Sequence, residues 1–354
     1  MAELFDQPSR KDRLDPQDMI GLVETFPAQC QEGERIARQT QLPTLSGIRH
    51  VVICGMGGSA IGGDLLRAYA STQATVSIEV VRNYGLPHYA GPETLVIASS
   101  YSGNTEETLS AYDQAKKRGS AILGITTGGT LADRCRRDGY PLIQVPGGMP
   151  PRAALGYSFM PLLVSLERLD LLPDQKKEIQ GLHKILKQSS LDYAFAVPTQ
   201  TNPAKQLAKQ LDKTVPIIYS GQDAFQPVAT RWRCQFNENA KVFAHDMVVP
   251  EMNHNEILGW GNPKPVLKKF HALFLLDKGY HKQTQKRFTV MHSIIEPAAH
   301  GLTCVESKGS GLLARLFSLI HFGDFVSVYL AYLCKEDPTP IPAIDLLKQE
   351  MAKK

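Results

Sequence analysis

Apolar positions along the chain switch between two periods, one helical and one strand-like. Met19, Ile20, Leu22, Val23 and Phe26 recur at helical spacing within residues 15–40 and are followed by a charged stretch, which predicts an N-terminal packing helix. The short run from His50 to Cys54 ends at Gly55, and helix formers resume over 64–70, giving strand, glycine turn and helix. Strand-like runs at 76–81, 94–98, 121–126 and 142–145 then alternate with helical patterns at 106–118 and 131–137. A long apolar helix over 153–172, stopped by Pro173, and a more charged helix over 175–188 read as a connector. Beyond it, strands are expected at 215–219, 272–276, 289–295 and 302–305, with a long apolar helix over about 311–333.

Strands alternating with helices imply an α/β fold of two subdomains, each a mainly parallel sheet flanked by helices. The expected boundaries are 1–152 for the first domain, 153–192 for the helical connector and 193–354 for the second domain. VVICGMGGSA and PIIYSGQDAF both place Gly and Ser after a strand, a hint that the halves are related.

Composition narrows the classes. A chain of 354 residues with 43% hydrophobic and 21% charged residues is long enough for two cores and too apolar for extended disorder. A formal charge of +4 without a long block of like charges offers no nucleic-acid arm. The opening MAELFDQPSRKDRLD lacks the apolar core of a signal peptide, so a cytoplasmic location is expected. No uninterrupted apolar run has the length of a membrane helix, so no membrane partner is expected. Six scattered cysteines without a CxxC pair argue against a structural zinc or a disulfide framework and are expected to be mostly buried thiols.

Two strand-to-helix turns carry candidate chemistry. In GMGGSAIGGD (Gly55 to Asp64), glycines allow close backbone approach, the helix start offers free N–H groups to an anion, and Gly58 and Ser59 stand at its centre. The turn is followed by no Gly-Lys-Ser/Thr and lacks a clear dinucleotide fingerprint, so a nucleotide is disfavoured. In SSYSGNTEET (Ser99 to Thr108), the hydroxyls of Ser100, Ser102 and Thr105 surround Gly103 and suit a phosphate monoester. The competing reading is that Thr105 merely caps the following helix.

Together these turns resemble the sugar isomerase (SIS) domain family, and SYSGNTEET is a specific match to its hydroxyl loop. The resemblance implies that Ser59, Ser100, Ser102 and Thr105 hold the phosphate of a sugar phosphate. Four further segments are similar to the bifunctional phosphoglucose/phosphomannose isomerase family: MPPRAALGYS, FNENAK, VPEMNHNEILGW and DPTPIPAIDLLK. This implies two SIS subdomains and a homodimer with the active site at the subunit interface. It also implies a hexose 6-phosphate substrate, with no cofactor and no metal. Glu238 would move the proton between C1 and C2, Arg152 would stabilise the enediolate, and Lys348 would be the C-terminal lysine of the site. His254 would assist ring opening from the partner subunit.

Each residue has a local alternative. Glu238 between Asn237 and Asn239 suits an exposed capping acid, His254 a structural loop histidine, and Lys348 a solvated helix face. Glu251 and Glu256 compete with Glu238 as the base. Arg152 at a helix start is unfavourable to the helix dipole and so is less easily explained by local stability. PEMNHNE supplies one histidine without HExxH spacing, and no GxSxG elbow is present, which disfavours a zinc hydrolase and a serine hydrolase. A non-catalytic phosphosugar sensor and an isomerase of another sugar phosphate remain open.

Overall fold

The computed structural model describes residues 4–222, 224–351 and Lys353. A 3-10 turn (Leu4–Asp6) and helix α1 (Pro8–Leu14) precede α2 (Met19–Glu24) and α3 (Phe26–Gln39). The single helix expected over 15–40 is therefore divided at Thr25. Pro27 at the start of α3 has no N–H to continue the α2 ladder, and the Thr25 hydroxyl bonds back to the Gly21 carbonyl at 2.9 Å.

The first sheet is built from β1 (His50–Cys54), β2 (Ser77–Val81), β3 (Thr94–Ser99), β4 (Ala121–Thr126) and β5 (Leu142–Gln144). Helices α4 (Gly57–Ala70), α5 (Glu106–Lys117) and α6 (Gly129–Asp138) connect them. The strand order is β2-β1-β3-β4-β5, all parallel, with Val52 registered against both Glu79 and Val96. Every residue of β3 is buried, as expected for a parallel strand with helices on both faces.

A 3-10 turn (Pro151–Ala153) leads into α7 (Leu155–Arg168) and α8 (Lys176–Tyr193). Helix α7 ends at Arg168, before the Pro173 stop, while α8 continues to Tyr193, past the expected 188. The second half adds α9 (Pro203–Leu211), β6 (Val215–Gly221), α10 (Gln226–Gln235), a π turn (Phe236–Ala240) and β7 (His245–Val249). Two 3-10 turns (Glu251–His254, Glu256–Gly261), α11 (Lys264–Leu267), β8 (Phe270–Leu276), α12 (Lys282–Ile295) and β9 (Gly301–Glu306) follow. The chain closes with α13 (Leu312–Cys334) and α14 (Pro342–Met351). This second sheet runs β7-β6-β8-β9, again all parallel. Its order is that of the first four positions of the first sheet, so the related strand ends noted in the sequence belong to equivalent strands, β1 and β6.

The strands differ from expectation in two places. The strand expected at Thr289–Ile295 is the C-terminal half of α12, because Phe288, Met291 and Ile295 form its buried stripe while Thr289 and Val290 are exposed. Its β-branched residues obscured a helical period. Strand β7 was not foreseen, since His245 and Asp246 open it with polar residues.

Helix α13 organises the interior. It packs on α8, α9, α10 and the π turn, and its residues from Leu316 to Tyr332 are all buried. By length and composition it is apolar enough to cross a membrane, but 94% of its most apolar stretch is enclosed within the protein. Phe317 lies between Phe26 (6.0 Å) and Phe159 (4.8 Å), so the N-terminal and connector helices share one core with the second half. Cys30, Cys54 and Cys135 are buried, Cys234 and Cys334 are half-buried, and Cys304 is exposed; all six are free thiols.

Candidate functional site

In the first sheet the order reverses between β1 and β3, and a doubly wound sheet binds ligands in the crevice outside its carboxyl strand ends at that point. The two Gly/Ser/Thr turns leave the sheet there. At the end of β1, Gly55 is required by space, since a Cβ would lie 2.8 Å from the Ser99 carbonyl oxygen. The chain then enters α4, whose first turn contains Gly58 and the buried Ser59. The Ser59 hydroxyl accepts from the Tyr101 N–H at 3.1 Å, which ties the first turn to the second.

The second turn is folded around its own hydroxyls. Ser100 Oγ lies 2.8 Å from Thr105 Oγ1 and accepts from the Gly103 N–H at 3.1 Å, while Ser102 Oγ accepts from Asn104 N at 3.3 Å. Gly103 has φ +73°, and a Cβ there would collide with the Gly128 carbonyl. Thr105 occupies the N-cap position of α5, but its side chain does not cap the helix. Its hydroxyl is committed to Ser100 instead, so helix capping does not account for it.

Arg152 joins this crevice to the second half. A Cβ on Gly58 would lie 2.6 Å from the Pro151 carbonyl oxygen and 3.2 Å from Arg152 N, so the glycine allows the Arg152 turn to seat against the first Gly/Ser turn. The Arg152 side chain is only 4% exposed. Its Nε donates to Asn239 Oδ1 (2.7 Å), and its Nη2 donates to the carbonyls of Pro338 (2.6 Å) and Thr339 (2.8 Å). Nη1 is left facing Glu238 Oε2 at 3.6 Å. Burial lowers the guanidinium pKa, opposed by the charges of Glu238 and Asp337. The group stays cationic because its ordinary pKa is so high.

Glu238 lies in the π turn that extends α10, a distortion frequent at functional sites. Its side chain is 31% exposed, so the carboxylate is packed against Arg152 on one side and open on the other. That contact replaces the reading of Glu238 as an exposed capping acid.

The rival acids have other attachments. Glu256 accepts from Tyr219 Oη (2.6 Å) and pairs with His245 Nε2 (3.0 Å), pinning the 256–261 turn onto β6 and β7. Burial would raise the Glu256 pKa, but the hydrogen bonds from His245 and Tyr219 outweigh it and the net shift is downward. The hydrogen bond to Glu256 raises His245. Glu251 is exposed and at most touches Asn255 at 3.4 Å.

His254 and Lys348 are not brought to this cluster within one chain. His254 is exposed on its 3-10 turn, Lys348 is exposed on α14, and neither side chain has a hydrogen bond or ion pair among the described residues. Two residues missed in the sequence belong here. Asn239, fully buried, orients Arg152, and Thr339 places a carbonyl on Arg152 and keeps a buried hydroxyl with no partner among the described residues. A polar residue directly after Glu238 and the Pro-Thr-Pro run were the available signals.

The equivalent crevice of the second sheet, between β6 and β8, is filled. Tyr280 Oη accepts from Gly221 N (2.9 Å) and donates to Leu275 O (3.0 Å), and a Cβ at Gly221 would lie 2.6 Å from the Tyr280 ring. Among the described residues, the first switch point is the one that presents Gly/Ser/Thr turns.

Two parallel α/β units with hydroxyl-lined turns at the first switch point define a double-SIS protein. Residues 44–138 match the SIS domain, and residues 200–351 match the bacterial phospho-glucose isomerase C-terminal SIS domain. The chain is 43% identical over 335 residues to the bifunctional phosphoglucose/phosphomannose isomerase of Caldicellulosiruptor bescii, covering 94% of this chain and 99% of that protein. It is 33% identical over 338 residues to the protein of the same name from Aquifex aeolicus, covering 95% and 99%. The fold superposes on a glucose-6-phosphate isomerase like protein from Thermus thermophilus with a TM-score of 0.65 at 17% identity, over 97% of this chain and 100% of that one. The chain belongs to the bifunctional phosphoglucose/phosphomannose isomerase family.

The His245–Glu256 pair sets a pH window for the 256–261 turn. A raised His245 pKa contributes stability below the ordinary histidine value near 6.5, and loses it as pH rises through the folded value. A lowered Glu256 pKa contributes above the ordinary value near 4.3, and loses it as pH falls through the folded value. Both contributions are complete between about pH 4.5 and 6.5. His245→Ala is therefore expected to lower the thermal midpoint more at pH 5.5 than at pH 8.5; an equal loss at both would contradict the pairing.

Proposed function

We propose that the protein interconverts glucose 6-phosphate, mannose 6-phosphate or both with fructose 6-phosphate through a cis-enediol, with Glu238 as the base. Family membership makes it an enzyme, an isomerase that is formally an intramolecular oxidoreductase. The observation that carries the finer reading is the single position of Arg152, seated against the phosphate turn at Gly58 on one side and against Glu238 on the other.

In this reading the phosphate sits on Gly58, Ser59, Ser100, Ser102 and Thr105, at the N-termini of α4 and α5. Glu238 takes the C2 proton of the open-chain aldose phosphate. The C–H electrons form the C1–C2 double bond, and negative charge grows on the carbonyl oxygen. The Arg152 cation stabilises that oxyanion in a dry surrounding, where a fixed charge counts for most. Glu238 then returns the proton to C1, and the O2–H proton passes to the C1 oxyanion, so that C2 becomes the ketone and C1 carries the hydroxyl.

Ring opening needs another acid–base group, and His254 fits that role from a partner subunit. Its exposure in one chain supports this, as do the exposed apolar side chains of Leu258, close in sequence, and of α14: Ile344, Leu346, Leu347 and Met351. Lys348, on the same helix, would enter the site with them.

Coupled assays with both aldose phosphates are expected to show turnover by the parent protein. Glu238→Gln should lose activity by about 1,000-fold or more while still binding glucose 6-phosphate. Near-parent activity would sink the assignment, and binding without turnover by the parent would favour a sensor. If the site is shared, mixing inactive Glu238→Gln and His254→Ala chains under exchange should restore about a quarter of parent activity, since half the dimers would be mixed, each with one intact site. No recovery would place both residues in one chain.

A further inference from the structure

We infer that Asp324, in the middle of α13, is a positioning residue that sets the geometry of both Arg152 and Glu238, an inference that rests on the isomerase reading of that pair. Asp324 is 4% exposed and is the one acid in a mostly apolar helix. Its carboxylate accepts from Arg231 Nε (3.0 Å) and Nη2 (2.7 Å), and from Gln235 Nε2 (2.9 Å). Arg231 Nη2 also donates to the Arg152 backbone carbonyl at 3.0 Å. The main chain at Arg152 and the carboxylate of Asp324 thus share one guanidinium.

A second path closes the ring. The Asp324 carbonyl accepts from Ser327 Oγ (2.6 Å), Ser327 Oγ accepts from Asn239 Nδ2 (2.9 Å), and Asn239 Oδ1 accepts from Arg152 Nε (2.7 Å). Glu238 stands between Gln235 and Asn239, so both sides of its π turn are tied to Asp324. All six members, Arg152, Arg231, Gln235, Asn239, Asp324 and Ser327, are buried.

Stability alone is a poor reason for this arrangement. A buried ion pair recovers little of its desolvation cost, and apolar replacements of similar size often leave stability equal or higher. What the ring supplies is orientation. A fork-shaped guanidinium fixes directions that an apolar contact leaves free. Helix spacing is held separately: a Cβ on Gly323 would lie 2.3 Å from Trp232 Nε1, so α10 and α13 meet at that glycine whatever Asp324 does.

The test uses the full-length protein with Arg231 and Asp324 both made apolar, Arg231→Met with Asp324→Leu. We expect a thermal midpoint close to the parent's, a kcat lower by about 100-fold and a KM for glucose 6-phosphate changed less than about threefold. Arg231→Lys, which keeps the charge for Asp324 but loses the fork, should show the same split and serves if the double variant does not fold. Parent-like kcat in a folded double variant would overturn the inference. A readout independent of turnover is the exchange rate of the Arg152 Nε–H, followed by 15N NMR and assigned by its loss in Arg152→Lys. Faster exchange in the variants supports positioning, and unchanged protection overturns it even if the parent shows no isomerase activity, an outcome that would count against the proposed function alone.

Discussion

The burial of one permanent cation constrains much of this structure. A guanidinium that is 4% exposed has to find acceptors on nearly every side, because an unmatched buried charge costs far more than a lost hydrogen bond. Arg152 finds them in two parts of the chain: Asn239 and the Glu238 carboxylate in the π turn, and two carbonyls in the segment after α13. Its own turn rests on Gly58 at the head of α4. A single side chain thereby joins the Gly/Ser/Thr crevice of the first sheet to the acid of the second half, with one donor group, Nη1, facing Glu238.

The sheets explain why the crevice lies where it does. Parallel strands end together, and the reversal of strand order between β1 and β3 leaves a gap that helices do not cover. The second sheet has the same arrangement, yet Tyr280 occupies its gap with a hydroxyl that satisfies both Gly221 and Leu275. The two halves share a topology and have divided their roles. One carries the Gly/Ser/Thr turns and the other supplies the acid that faces Arg152.

Much of this was legible in the sequence where a local rule decides. Glycines and hydroxyls at two strand ends gave the crevice, and alternating periods gave eight of the nine strands. Local rules failed where tertiary contacts decide. The β-branched pair Thr289 and Val290 suggested a strand, yet the buried positions 288, 291 and 295 keep a helical period. The hydrogen bonds of Asn239, Arg231 and Asp324 run between residues 79 to 93 positions apart, which no spacing rule reports. A lone acid within the apolar α13 was the visible trace of that network. His254 and Lys348 face solvent in a single chain, so no contact among the described residues bears on the roles expected of them.

A carboxylate beside Arg152 that moves a proton between neighbouring carbons of a sugar phosphate would expose that proton to exchange with solvent. The most direct measurement is fructose 6-phosphate incubated with the protein in D2O and followed by NMR. A carboxylate open to solvent on one side should exchange part of its proton, so deuterium should appear at C2 of the aldose phosphate and at C1 of the recovered ketose phosphate. Conversion that proceeds with no solvent deuterium at either carbon, as a direct hydride shift would give, would contradict the account.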